Sequence, residues 1–161
     1  MITIKKVIDK DRDSLFNINQ KYLYEMTQFY DDKIDENGNY HYGHFDEYFI
    51  DYKRSAYFIY NDNNLVGFFM IHPYSYFNYS PDYVLAEFTI FPHFRKRHYA
   101  EETIKIVFDT FPGNWEIKYN ENNIKAKNLW LKVTNLYSPI HKSFSPDETV
   151  LIFSTNKTKK A

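Results

Sequence analysis

An α/β fold, with helices flanking a single mixed sheet, follows from how two hydrophobic periods alternate along this 161-residue chain. Short runs in which apolar residues alternate or cluster, as strands require, are interleaved with segments whose apolar residues recur every three or four positions, as helices require. No internal repeat, linker or low-complexity stretch separates them, and the length suits one hydrophobic core better than two. Residues 1–155 are therefore read as one domain, followed by a frayed basic tail at 156–161.

Each element has its own signature. ITIKKV (2–7) alternates like a half-buried strand. The acidic DKDRD (9–13) suits a helix N-cap and first turn, after which Leu15, Ile18, Tyr22, Met26 and Phe29 make an apolar helical stripe. Asn37-Gly38 marks a turn, and HYGHFDEYFIDYKRS (41–55) reads as a short helix and a loop. AYFIY (56–60) and LVGFFMI (65–71), joined by NDNN, predict a hairpin. HPYSYFNYSPD (72–82), holding Pro73 and Pro81, predicts a loop. YVLAEFTIF (83–91) is apolar on both faces, which puts it in the middle of the sheet. Ala100, Ile104, Val107, Phe108 and Phe111 keep helical spacing until Pro112-Gly113. NWEIKY (114–119) predicts a strand, NNIKAKNLWLKV (122–133) a helix, and TVLIFST (149–155) a closing strand.

Composition narrows the function. Lys+Arg 20 against Asp+Glu 21 leaves a formal charge of -1, without the basic excess of a nucleic-acid binder, so no nucleic-acid partner is expected. The absence of cysteine removes disulfides, cysteine-ligated zinc and a cysteine nucleophile. MITIKKV lacks the pattern of a signal peptide, and the apolar run 65–71 is far too short to span a membrane; a cytoplasmic protein without a membrane partner is the expectation. No metal is expected either. His41 and His44 form HxxH with no third ligand placed by spacing, and a calcium loop through Gly38 would need an acid where Lys33 stands. Aromatic residues make up 20% of the chain, which builds a ring-rich core or lines a cleft with tyrosines.

The segment FPHFRKRHYAEE (91–102) carries the sharpest chemical signal. A strand ends at Pro92, Arg95, Lys96 and Arg97 follow, and a helix begins. Free backbone N–H groups, the positive end of a helix dipole and side-chain cations would meet there, an arrangement that attracts a phosphate or pyrophosphate. A merely solvated basic turn is the alternative.

At this point the chain resembles the GNAT (GCN5-related N-acetyltransferase) superfamily, whose acetyl-CoA loop follows a hydrophobic-x-Pro strand end with Gln/Arg-x-x-Gly-x-Gly/Ala. Ile90-Phe91-Pro92 is followed here by Arg95, then by His98 in place of the first glycine, and by Ala100. Asn123, Ala126 and Trp130 match the spacing of the family's helix beside the CoA arm. AEFTIF, FPGNWEI and NxxAxxLW, with KYLYEMTQFYDD, ENGNYHYG and LVGFFMI before them, are similar to a predicted bacterial branch, so the resemblance runs over about residues 2–140.

The resemblance implies acetyl-CoA as co-substrate, lying where two parallel strands, YVLAEFTIF and NWEIKY, splay apart. Backbone groups of Phe88 and Ile90 would pair with the pantetheine arm, and the Ile90 N–H would face the oxyanion. The turn Arg95, Lys96, Arg97, His98, Tyr99 and Ala100 would hold the pyrophosphate, with Asn123 on the other side of the arm. A helix start does not itself demand glycine, so His98 is expected to weaken cofactor binding rather than abolish it. Glu87, a carboxylate inside an apolar strand, is the candidate general base, its alternative being a structural ion pair. The family often has a tyrosine acid where Trp130 stands; indole cannot supply that proton, so Tyr137 is the substitute or the thiolate leaves unaided. Tyr22, Tyr24 and Tyr30 of the first helix, with Tyr76 in the loop, would face the acceptor, a primary amine of a small molecule or peptide. A catalytically degenerate acyl-CoA-binding or interaction module is the competing expectation. Oligomeric state is not legible.

Overall fold

A computed structural model describes residues 1–156; the tail read as frayed lies, from residue 157, outside the described residues. Seven strands form one sheet: β1 (Ile2–Lys6), β2 (Ser55–Asn61), β3 (Asn64–His72), β4 (Tyr83–Ile90), β5 (Asn114–Asn120), β6 (Ile140–Ser145) and β7 (Glu148–Ser154), in the order β1-β2-β3-β4-β5-β7-β6. Three α-helices flank it: α1 (Arg12–Met26), α2 (Tyr99–Thr110) and α3 (Ile124–Thr134). All neighbouring strands are antiparallel except β4 and β5. The predicted class, one mixed sheet with flanking helices, is the observed one.

The sheet separates two cores. On one face Phe69, Ile71, Leu85, Ile117 and Leu151 pack with Ile104, Val107 and Phe108 of α2 and Trp130 of α3. On the other, Phe58, Phe68 and Met70 pack with Leu15 of α1 and with Phe45 and Tyr48 of a short 3-10 turn. Gly67 lets β4 lie close against β3: any Cβ there would collide with the Thr89 carbonyl oxygen.

Two departures from the sequence reading have clear causes. The apolar stripe of the first helix extends to Phe29, but α1 ends at Met26. Thr27 Oγ1 donates to the Tyr24 carbonyl at 2.6 Å and Gln28 Nε2 to the Glu25 carbonyl at 2.9 Å, so side chains take over the last carbonyls. The reading also has no counterpart to β6, whose residues are exposed on both faces apart from half-buried Ser145; an edge strand with no buried face carries no period.

What positions the site is an interruption between β4 and β5. They pair for only three residues, Tyr83–Leu85 against Trp115–Ile117, and then part. At that point β4 carries a bulge: Met70 of β3 faces Glu87 while the next residue, Ile71, faces Leu85, leaving Ala86 as an extra residue. A bulge bends its strand away from the ladder. It also shifts the alternation, so Leu85 points into the α2/α3 core while Glu87, two residues on, points to the α1 face.

Candidate active site

The parted strands open onto a cavity of about 900 Å³, walled by β4, β5, the C-terminal half of α1 and the start of α3. Its floor is the β4 edge that β5 leaves uncovered. The Phe91 N–H donates to Val66 of β3 at 2.8 Å, so by strand alternation the backbone groups of Phe88 and Ile90 turn the other way, toward the cavity. An extended ligand can pair there as an added strand would.

Glu87 stands beside this edge. Burial pushes its carboxyl up to about 7, opposed by hydrogen bonding from Tyr42 and Tyr22 and by the charge of Lys118. The Tyr22 hydroxyl lies 3.4 Å from Oε1. Glu87 makes no ion pair among the described residues, and the cation whose charge reaches it, Lys118, is itself paired with Glu148. A carboxyl that titrates near neutrality inside a cavity is equipped to accept a proton from a bound group.

A ring of tyrosines surrounds it. Tyr22, Tyr30, Tyr42 and Tyr76 all line the cavity, and burial raises each of their hydroxyls well above the ordinary value, so they stay neutral. His72, at the end of β3, is pushed down to about 4 by burial and by Arg54, and is uncharged at neutral pH. Lys118 of β5 forms a 2.9 Å ion pair with Glu148, which also accepts from the Tyr30 hydroxyl at 2.9 Å. The loop carrying Tyr76 is pinned from beneath by buried Glu116, which accepts from Ser75 Oγ at 2.5 Å and from the Tyr76 N–H at 2.9 Å.

The basic turn is more divided than its sequence suggests. Arg95 turns inward: Nε donates to the Ile90 carbonyl at 2.7 Å, both terminal nitrogens fork onto Glu25 at 2.6 and 2.7 Å, and one also reaches Thr89 Oγ1 at 3.1 Å. It is a strut between β4 and α1, and the hydrogen bond from Arg95 holds the Glu25 carboxyl below its usual range. Lys96 and Arg97 are exposed and without ion pairs among the described residues. His98 is the N-cap of α2 and adopts φ +63°, a left-handed backbone that glycine takes at no steric cost but that this turn makes with histidine. Its ring is turned aside, with Nδ1 3.9 Å from Glu101. The Tyr99 hydroxyl accepts from Asn61 and is structural, while Ala100 lines the cavity. The N–H groups opening α2 remain the part of this turn suited to an anion.

Of the other expected residues, Phe88 lines the cavity with its ring against Trp130 at 5.3 Å. Asn123 lines it too, but its Oδ1 accepts from the Ala126 N–H at 3.2 Å and caps α3, leaving its NH2 group to a ligand. Tyr24 is 70% exposed on the outer side of α1 and is not brought to the cavity. Tyr137 is likewise elsewhere, buried in the α2/α3 core and stacked on Phe153 at 5.8 Å. Both misplacements come from spacing: Tyr24 sits two residues from Tyr22, on the opposite side of a helix, and Tyr137 lies one turn beyond α3. Lys118, Glu116 and Tyr42 were missed. The alternation of NWEIKY, which sets Glu116 and Lys118 on one face, was the signal available for the first two.

The chain matches no family model and no curated protein. Among solved structures it is similar to a GNAT-family acetyltransferase from Streptococcus agalactiae, at 14% identity over 97% of this chain and 96% of that one, with a TM-score of 0.72. The architecture is the GNAT fold. A spermidine N-acetyltransferase from Vibrio cholerae, crystallised with CoA and spermine, shares it at 14% identity, 97% and 96% coverage and a TM-score of 0.66. A GNAT-family acetyltransferase from Bacillus cereus shares it at 17% identity, 100% and 99% coverage and a TM-score of 0.60. Among the described residues of this GNAT fold, no helix is long and apolar enough to cross a membrane, and no group of three or more acidic or histidine side chains is arranged to hold a metal.

Proposed function

We propose that the protein is an N-acetyltransferase that moves an acetyl group from acetyl-CoA to a primary amine by direct attack in a ternary complex. The observation that carries this is the pairing of an uncovered β4 edge with a carboxyl titrating near neutrality beside it. The pantetheine arm would lie along Phe88 and Ile90, with its pyrophosphate at the N–H groups that open α2, near Lys96 and Arg97. Glu87 would take a proton from the bound ammonium. The free amine then attacks the thioester carbon, and the oxyanion is met by the Ile90 N–H. Collapse breaks the C–S bond, the thiolate leaves, and the nitrogen's second proton passes to that thiolate, giving the amide and free CoA, while Glu87 returns its proton to solvent. With Tyr137 in the core, no acid is required of it: a thiol of pKa about 8.5 departs as the thiolate.

A second reading, an acyl-CoA binder without catalysis, is favoured by the left-handed His98 where glycine would be freer. Titrating acetyl-CoA by calorimetry into the wild type and into Lys96→Ala/Arg97→Ala tests the cofactor site. Micromolar binding weakened about tenfold in the double variant is expected; no binding to folded wild type would end both readings. Free thiol released on adding an amine then separates enzyme from binder.

A further inference from the structure

The acceptor side of the cavity holds rings in plenty and almost no charge that is free. Glu25 is forked onto Arg95. Glu148 is bound by Lys118 and the Tyr30 hydroxyl. Asp32 touches the cavity only from an exposed position at its rim. Of the carboxylates that line the cavity's interior, Glu87 is therefore the one with no cation paired to it among the described residues. Around it stand the neutral faces of Tyr22, Tyr30, Tyr42 and Tyr76, with Phe29 next along.

This inventory discriminates between amines. A cavity with one free carboxylate accommodates one ammonium, and a second or third buried ammonium would have no counter-charge, which lowers affinity by well over tenfold. An apolar body on the acceptor meets ring faces instead, and desolvating a phenyl group against them raises affinity by at least tenfold. Lys118 works against polyamines again: its ammonium, paired with Glu148, already lies 4.9 Å from the centres of the Tyr76 and Phe144 rings and occupies the faces a distal cation would use.

We infer that the acceptor is an arylalkyl monoamine, its nitrogen at Glu87 and its ring among Tyr30, Tyr76 and Phe29, and not a polyamine. This rests on the acetyltransferase reading and gives it a substrate class. It also separates this chain from the Vibrio cholerae protein whose crystals hold spermine.

The test is equilibrium binding, which does not wait on turnover. 2-Phenylethylamine, butylamine and spermidine are titrated by calorimetry, at pH 8, into protein saturated with CoA. Phenylethylamine is expected to bind at least tenfold more tightly than either of the others. Tyr76→Ala should bring it down to the level of butylamine with CoA affinity unchanged, and Tyr76→Leu, which keeps apolar contact, should retain most of the preference. The loop keeps its backbone anchor on Glu116 in both variants. Spermidine binding as tightly as phenylethylamine, or no amine binding while CoA does, overturns the inference and leaves the cofactor site standing. Failure of CoA itself to bind brings down the acetyltransferase reading and this inference together.

Discussion

Replacing Glu87 by glutamine tests the base without any knowledge of the acceptor, because a raised carboxyl leaves a mark on stability. The side chain goes from an ordinary value of 4.5 to about 7 in the folded protein. A folded-state value above the unfolded one means that folding favours the protonated form. The stabilising share is complete below about 4.5 and is lost as pH rises through about 7. At about 1.4 kcal/mol per pKa unit the full loss is about 3 kcal/mol, most of which falls between pH 5 and pH 8. Glutamine keeps the shape and can still accept from Tyr22 and Tyr42, but does not titrate. Urea denaturation of both proteins at pH 5 and pH 8 should show the wild type losing about 2 kcal/mol or more relative to Glu87→Gln across that interval. Parallel pH dependence would refute the claim that the surroundings of Glu87 raise its carboxyl, and the base assignment would go with it. Once an acceptor is known, the same residue should make the wild-type rate fall about tenfold per pH unit below 7, with Glu87→Gln slower by 10²-fold or more.

Three further outcomes follow from the same geometry. A double-mutant cycle on Arg95→Ala and Glu25→Ala should give a coupling of about 2 kcal/mol in thermal or urea unfolding, since the fork between them is charge-assisted and half-buried; a coupling near zero would mean that the strut carries no load. His98→Gly should tighten CoA binding severalfold and leave stability within about 1 kcal/mol of wild type, whereas His98→Ala, which keeps the left-handed strain, should not improve binding; calorimetry compares the two. Glu116→Ala removes the acceptor of Ser75 and Tyr76, and should lower stability by about 3 kcal/mol while raising the KM for the amine more than that for acetyl-CoA.

Most of the fold was legible because most of its elements bury one face. The period of three and four in α2 and the apolar runs of β3 and β4 report burial directly. IHKSFS reports nothing, since an edge strand facing solvent leaves no pattern, and so β6 went unseen. The candidate site was half legible. Glu87 was conspicuous as a charge within an apolar strand, while Phe88 and Ile90 came only from the resemblance to the GNAT pattern. Arg95 could not be read correctly from its neighbours, because its partner Glu25 lies 70 residues away and only the fold brings the two together. The sequence likewise cannot tell Arg95, turned inward, from exposed Arg97 two positions on.

The extra residue at Ala86 has a consequence for anyone altering this protein. β4 carries two phases of alternation, one before Ala86 and one after it, and the candidate base and the cleft both exist at the seam. Deleting Ala86 would put the strand into a single phase, drawing it back along β5 and tying the direction of Glu87 to its distance from Leu85. Point substitutions can tune the acidity of the carboxyl, but its address is a matter of counting residues. A shift by one, in a library or in a hand-made alignment, exchanges the lining of the cavity for the lining of the core.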